Sequence, residues 1–520
     1  MEKGPDSQVR LAELLAALSL GIDLGFGQPM EHVLRQCRIA MRLCELSGLD
    51  DETRTAAYYS ALLVNVGCHT DAHEQVRWFG DDIAFKTHKY DDPSKKLAQV
   101  AGLLMQLGAG SSPPHRLRVM FEFLLGGHRE IEAMIAEHAR LARALGEELE
   151  LSRGALDALG ASYERWDGRG WPGDRRGAEI PVAARVIQLA EFAEVAHRNG
   201  GVDAALEYAD HGAGAQFDPS LVATLRADAE KIFNGLDETN SWDAVLDEEP
   251  ALHTLSAAEL DAALAAIGRF VDLKSPFLLG HSEAVANLAA GAAAQLNLPA
   301  AESSALRRAG LTAGFGRLGV SNAIWDKPGA LSPTEWERVR LVPQLGQRML
   351  HQSAALAPIA SIVGQHRERL DGSGYPAGIT GDAISPAARV LGAADSYQAM
   401  LEPRPHRPPR TLDEAANELT ADARAGRHDT EAVRAVLAAA GHRVPRRRID
   451  VAGLTNREID VLRLAARGLS NKDIAARLVV TPKTVGNHIE HIYTKIGVMN
   501  RAGAALFAMR HGLLPEDYTQ

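Results

Sequence analysis

The chain repeats itself, and this restricts its fold more than any other feature of its 520 residues. Glu164-Arg-Trp-Asp-Gly-Arg-Gly-Trp-Pro172 returns as Glu368-Arg-Leu-Asp-Gly-Ser-Gly-Tyr-Pro376, an offset of 204 (368 less 164). The same offset carries Ala184-Arg-Val-Ile187 onto Ala388-Arg-Val-Leu391, and Glu191 onto Asp395. Nearer the N-terminus the offset is 249 (281 less 32), placing His32 on His281 and Val64-Asn-Val-Gly67 on Ala313-Gly-Phe-Gly316. Copy one therefore holds 45 extra residues (249 less 204) between the two blocks. The unit that folds once must fold twice, in tandem.

That unit reads as helical. Leu11 to Leu20 and Glu259 to Val271 carry apolar residues at three- and four-residue spacing, and no run alternates as a strand would. Breaks fall at Ser111–Pro114, Asp237–Pro250 and Pro403–Pro409, the last too rich in proline for anything but a loop. The expected domains are copy one at 1–240, copy two at 251–440, a basic linker at 441–452 and a small module at 453–514.

Hydrophobic residues are 46% and charged residues 24%, which excludes a disordered or fibrous chain. A long uncharged run, Ala284 to Ala301, is interrupted by Asn287, Gln295, Asn297 and Pro299, and no segment reads as membrane-spanning. Met1 to Arg10 lacks a signal-peptide shape. Cys37, Cys44 and Cys68 are too few for a disulfide framework, and a reducing cytoplasm is the expected home. Charge divides the chain. Residues 441–520 hold 13 Lys and Arg against 7 Asp and Glu, or +6, while the whole carries −11, leaving −17 on the body. A basic tail on an acidic body suggests a polyanion-binding module.

The order Lys274-Ser-Pro-Phe-Leu-Leu-Gly-His281, Gly316-Arg-Leu-Gly-Val320, Asp326-Lys-Pro-Gly, His366-Arg-Glu-Arg-Leu-Asp-Gly-Ser-Gly-Tyr-Pro376 and Ala394-Asp395 resembles the HD-GYP domain family. The resemblance implies a helical bundle around two or three iron or manganese ions that hydrolyse cyclic di-GMP. Copy one resembles a more diverged member of the same superfamily. Not every position of the family pattern is kept. In copy two the His-Asp pair is Ala313-Gly314, the following lysine is Arg317, the histidine before Pro343 is Val342, and the second of the paired histidines is Arg367. His281, His366 and Asp395 survive. They form either the ligands of one residual iron or manganese ion, or a leftover polar cluster. Copy one keeps His32, His138 and Glu191 beside Val64-Asn65 and Ser162-Tyr163. A bundle pocket emptied of ligands is suited to a small organic effector. His69 and His73 read as solvated surface or loop, and Trp166, Trp171, Phe121, Phe123, Trp325 and Trp336 as packing residues.

In the tail, Thr455 and Glu458 make a capping box, Ser470 caps a helix over Asn471 to Leu478, and Pro482 opens another running to Ile496. A fourth helix follows toward His511. Helix, turn, helix is a DNA-binding arrangement. Lys483, Thr484, Asn487, His488, His491 and Lys495 fall outward. Asn487 and His488 are expected at base edges, with Lys483, Thr484 and Lys495 on phosphates. Leu454-Thr-x-Arg-Glu458, Gly468-Leu-Ser-Asn-Lys472, Thr484-Val485, Tyr493-x-Lys495 and Arg501 resemble the LuxR-type helix-turn-helix family. That resemblance implies a homodimer on paired DNA half-sites. The expected protein is all-α: two tandem HD-type bundles and a four-helix LuxR-type domain. It would be a bacterial, cytoplasmic transcription regulator whose degenerate body senses a small molecule or mediates dimerisation. The competing expectation is an active metal-dependent phosphodiesterase for cyclic di-GMP or a related nucleotide, coupled to transcription. The missing pair at Ala313-Gly314 counts against it.

Overall fold

The computed structural model describes residues 9–87, 90, 107–108, 113–123, 128–237, 240–442, 452–466, 468–511 and 513. Most of the expected basic linker lies outside them. The chain divides into two compact units, Met1–His442 and Arg443–Gln520. Among the described residues the fold is helical; the strands Val9–Arg10 and Thr254–Leu255 form one short antiparallel pair. No described helix is long and apolar enough to cross a membrane.

Within the larger unit the two halves are built alike. His32 and His281 open the helices His32–Leu46 and His281–Gln295. The residue before each is left-handed, Glu31 at φ 83° and Gly280 at φ 77°. Gly280 has no Cβ to strain there. The carboxylates of Asp23 and Asp272, again 249 apart, accept the backbone N–H of Val33 (3.2 Å) and Ser282 (2.8 Å). Each satisfies a donor that the helix start leaves open. A Cβ on Gly67 would lie 2.3 Å from the His138 carbonyl oxygen, and one on Gly316 2.0 Å from that of Val342. Only glycine fits this approach in either copy. The loops before Pro172 and Pro376 match too, each with a cis prolyl bond.

The halves are locked together. The helix Leu11–Gly25 touches His32–Leu46 and Asp51–Leu63 of its own copy, and Phe315–Gly319 and Val342–His351 of the other. Leu14, Leu15 and Leu18 are fully buried, each contributing about 1.5–3 kcal/mol. A second seam is polar. Asp82 accepts hydrogen bonds from the Ser321 hydroxyl and the Asn322 N–H, both at 2.8 Å, and pairs with Lys86 (3.2 Å) and Lys274 (3.4 Å). All five residues are buried. Burial opposes the Asp82 charge, but Lys274 and Lys86 hold its carboxyl far below the usual carboxylate range.

Three readings need correction. His69 is not solvated surface, and His73, with its side chain 43% exposed, also has a partner in the other copy. His69 is buried against Phe270, and its Nε2 lies 3.3 Å from that residue's carbonyl oxygen. His73 Nδ1 meets Asp326 at 2.8 Å. Both are recruited by the seam between copies, which short-range pattern cannot reveal. Phe121 and Trp336 do not pack inward; they are 64% and 43% exposed. The break at Asp237–Pro250 contains the helix Ser241–Asp247, capped by Asn240, with Trp242 buried.

The smaller unit has the helices Asn456–Ala466, Asn471–Leu478, Pro482–Ile496 and Arg501–Arg510. Ser470 and Thr481 cap the second and third through the N–H groups of Asp473 and Thr484. Ile459, Leu462, Ile474, Ala475, Val485, Ile492 and Ala504 form the core, with Ile489 half-buried against it.

Candidate functional site

In copy two the helix starts and loops just described bring the surviving residues together. His281 Nε2 lies 3.1 Å from Asp395, and its Nδ1 lies 2.9 Å from Glu402. Arg367 pairs with Asp395 at 2.8 Å, and its Nε donates to His366 Nε2 at 3.3 Å. The remaining His366 nitrogen donates to the Val363 carbonyl at 2.6 Å. Arg317 sits 3.8 Å from both Asp272 and Asp395. Arg404 pairs with Glu402 at 2.8 Å. Burial opposes the Asp395 charge, but Arg367 and the hydrogen bond from His281 hold its carboxyl well below the usual range. Burial and the neighbouring arginines keep His366 neutral, with a pKa lowered to about 4.

These residues do not fit a metal ion. A ligating His366 Nε2 would present its lone pair to the metal, but that lone pair accepts from Arg367. The Arg367 guanidinium occupies the space and supplies the charge that a cation would bring to Asp395. Among the described residues, no group of three His, Cys, Asp or Glu side chains is arranged to hold a metal. Sequence reading missed Glu402, the C-cap of the helix Pro386–Leu401, and Arg404, in the proline-rich loop that follows. The seven-residue step from Asp395 to Glu402, two helical turns, was the available signal.

Copy one satisfies its polar groups differently. Asn65 donates to Glu191 at 2.7 Å, and Tyr90 donates to the same oxygen at 2.9 Å. His32 pairs with Glu194. Burial works against a charged His32, but Glu194 outweighs it and raises its pKa. Beside them, His138 Nε2 meets Asp71 at 2.8 Å, and the Cys68 sulfur lies 2.8 Å from the Tyr163 hydroxyl.

In the small unit Lys483, Asn487 and His491 are exposed on the helix Pro482–Ile496, with Thr484 and His488 half-buried. Two expected contacts are engaged internally. Lys495 pairs with Glu458 at 2.7 Å, and Arg501 donates to the Leu469 carbonyl. The same Glu458 oxygen accepts from the Thr455 N–H (2.7 Å) and hydroxyl (2.9 Å). Partial burial opposes this charge, but Lys495 and Thr455 bring the carboxyl to about 2. A depressed carboxyl stabilises the fold above its ordinary pKa, and the contribution is lost as pH falls toward the folded value. Amide protection over residues 456–496 should therefore decline between about pH 4.5 and 2. Glu458→Gln should remove that decline. If the wild type and Glu458→Gln respond alike, the clamp does not hold these helices.

Two interlocked helical copies, each with a histidine opening one helix and a carboxylate on another, define an HD-type body joined to a helix-turn-helix module. The chain belongs to the HD domain family, whose model matches residues 82–221 and 266–432. Residues 452–508 match the model for bacterial regulatory proteins of the luxR family. The 3'3'-cGAMP-specific phosphodiesterase 3 of Vibrio cholerae is 32% identical over 411 residues, covering 78% of this chain and 89% of that protein. A crystal structure of a cyclic GMP-AMP specific phosphodiesterase from V. cholerae has a TM-score of 0.59 at 27% identity, covering 84% of this chain and 99% of that one. A cyclic di-GMP phosphodiesterase of Thermotoga maritima is 38% identical over 109 residues, 20% of this chain and 29% of that protein.

Proposed function

We propose that this chain is a DNA-binding transcription regulator whose HD body binds a cyclic dinucleotide without hydrolysing it. One observation carries the reading: Arg367 contacts both Asp395 and His366, where the resemblance places a metal. Metal-assisted hydrolysis needs an ion that generates hydroxide and clamps the phosphodiester. An arginine binds phosphate bidentately but generates no hydroxide. The relatives' substrates point to the ligand class, and the departures of this chain point to binding without turnover.

On the DNA side, Lys483 and Thr484 contact phosphates while Asn487, His488 and His491 face the groove. Lys495 and Arg501 position the recognition helix from within. The protein acts as a homodimer on paired half-sites.

The test uses the full chain in EDTA. Titration with 3'3'-cGAMP and cyclic di-GMP should show saturable binding to at least one, weakened by Arg367→Ala, with a change in DNA affinity by gel mobility. Binding that requires added iron or manganese, or DNA affinity indifferent to both nucleotides, would overturn this reading.

A further inference from the structure

The helix Thr430–Ala439 is the last of the larger unit, and it lies on both helices that carry the copy-two site. It packs against His281–Gln295, which His281 opens, and against Pro386–Leu401, which bears Asp395. Contact with the first is close: a Cβ on Gly291 would lie 2.9 Å from that of Ala439. Contact with the second is tied at both ends. At the start, Asp429 caps the helix through the N–H groups of Glu431 and Ala432, both at 2.9 Å, and pairs with Arg389 at 3.4 Å. Past the end, Gly441 turns the chain at φ 86°, and the His442 N–H donates to the Leu437 carbonyl at 3.0 Å. The His442 ring is thereby brought to the buried Tyr397. The Tyr397 hydroxyl lies 2.7 Å from His442 Nε2, and the rings meet edge to face with centroids 5.8 Å apart.

The repeat supplies a comparison. Arg185 and Asp218 of copy one pair as Arg389 and Asp429 do. Tyr397 has no counterpart, because the offset of 204 places Ala193 at its position (397 less 204). The second tie therefore belongs only to the copy that ends at His442, the residue before the smaller unit begins. Tyr397 stands two residues after Asp395, so one helix carries both.

We propose that Tyr397 and His442 form a latch through which a nucleotide held by Arg367 alters DNA binding. The inference rests on the nucleotide reading. A phosphate on the Arg367 guanidinium competes with Asp395 for the same donors and leaves that buried carboxylate to His281 and Arg317. The helix bearing Asp395 shifts toward them, and Tyr397 shifts with it. Tyr397 is 1% exposed, so its hydroxyl has little water to turn to. The bond to His442 is then either kept by moving His442 or broken. In both cases the chain leaves the body differently when the site is filled, which is the difference that a coupling between two sites requires.

The experiment uses the full chain in EDTA, as wild type, Tyr397→Phe and His442→Ala. Each is titrated with 3'3'-cGAMP and with cyclic di-GMP, alone and with a duplex that the protein selects from a random pool. In the wild type, saturating nucleotide should change DNA affinity by about 5–150-fold, and DNA should change nucleotide affinity by the same factor. Tyr397→Phe keeps the ring and loses the bond. Its nucleotide affinity without DNA should stay within about twofold of wild type, while both changes shrink to about twofold or less. His442→Ala alters a half-buried residue, should behave alike, and decides the matter if circular dichroism shows that Tyr397→Phe is unfolded. A folded variant that binds nucleotide and keeps the wild-type change overturns the latch alone. Loss of nucleotide binding in a folded variant also overturns it, by placing the pair in the site. A wild type that binds neither nucleotide, or whose DNA affinity ignores both, overturns the nucleotide reading and the latch with it.

Discussion

Asparagine in place of Asp82 should destabilise the larger unit by about 3–5 kcal/mol, because removing one partner of a buried charge pair leaves the other uncompensated. Here two ammonium groups are stranded at once. Lys86 and Lys274 are 5% and 1% exposed, and Asp82 is the residue both pair with. Asparagine keeps the shape and an acceptor for the Ser321 hydroxyl and the Asn322 N–H, so the loss reports the charge. The seam joins copy one to copy two, and the change should separate the cooperative unfolding of the body into two steps. Denaturant unfolding with two probes, one in each copy, measures this. A loss below about 1 kcal/mol, the scale of an exposed ion pair, would mean that water reaches the seam.

Alanine at Asn487 should weaken binding to the cognate site by about 10–100-fold, the value of one good base contact, and relax base preference at one position. The salt dependence should stay the same, because no phosphate charge is lost. Lys483→Ala should behave oppositely: weaker binding to every sequence and a log–log salt slope lower by about one. Lys495→Ala should lose amide protection around Glu458 while Lys483→Ala does not, since only Lys495 pairs with that carboxylate. Competition binding at several salt concentrations separates the three. Identical behaviour of Asn487→Ala and Lys483→Ala would mean that the groove-facing surface is misassigned.

The repeat was legible because residues under backbone constraint cannot drift. Gly67 and Gly316 face a carbonyl in each copy, and the loops before Pro172 and Pro376 keep their glycines. The four-helix module was legible because its signals are local: Thr455, Ser470 and Thr481 each cap a helix within three residues. What stayed hidden were contacts between distant parts of the chain. Asp82 and Lys274 are 192 residues apart, and nothing in either neighbourhood announces the other. Lys495 is exposed, as is Lys483, but twelve residues along a helix rotate a side chain by about 120°. That turn carries it to the buried Glu458. The replacement of His by Arg at 367 could be read as a lost ligand; that the guanidinium bridges Asp395 and His366 required coordinates.

The HD body of this chain is proposed to work without a metal. The most direct measurement is metal content of the purified full chain, with cyclic dinucleotide turnover assayed on the same sample under added iron and manganese. Substoichiometric metal and no turnover are expected, with nucleotide binding intact in EDTA. Stoichiometric metal accompanied by hydrolysis would contradict it, and Arg367 would then have to leave Asp395 and His366 for the ion to enter.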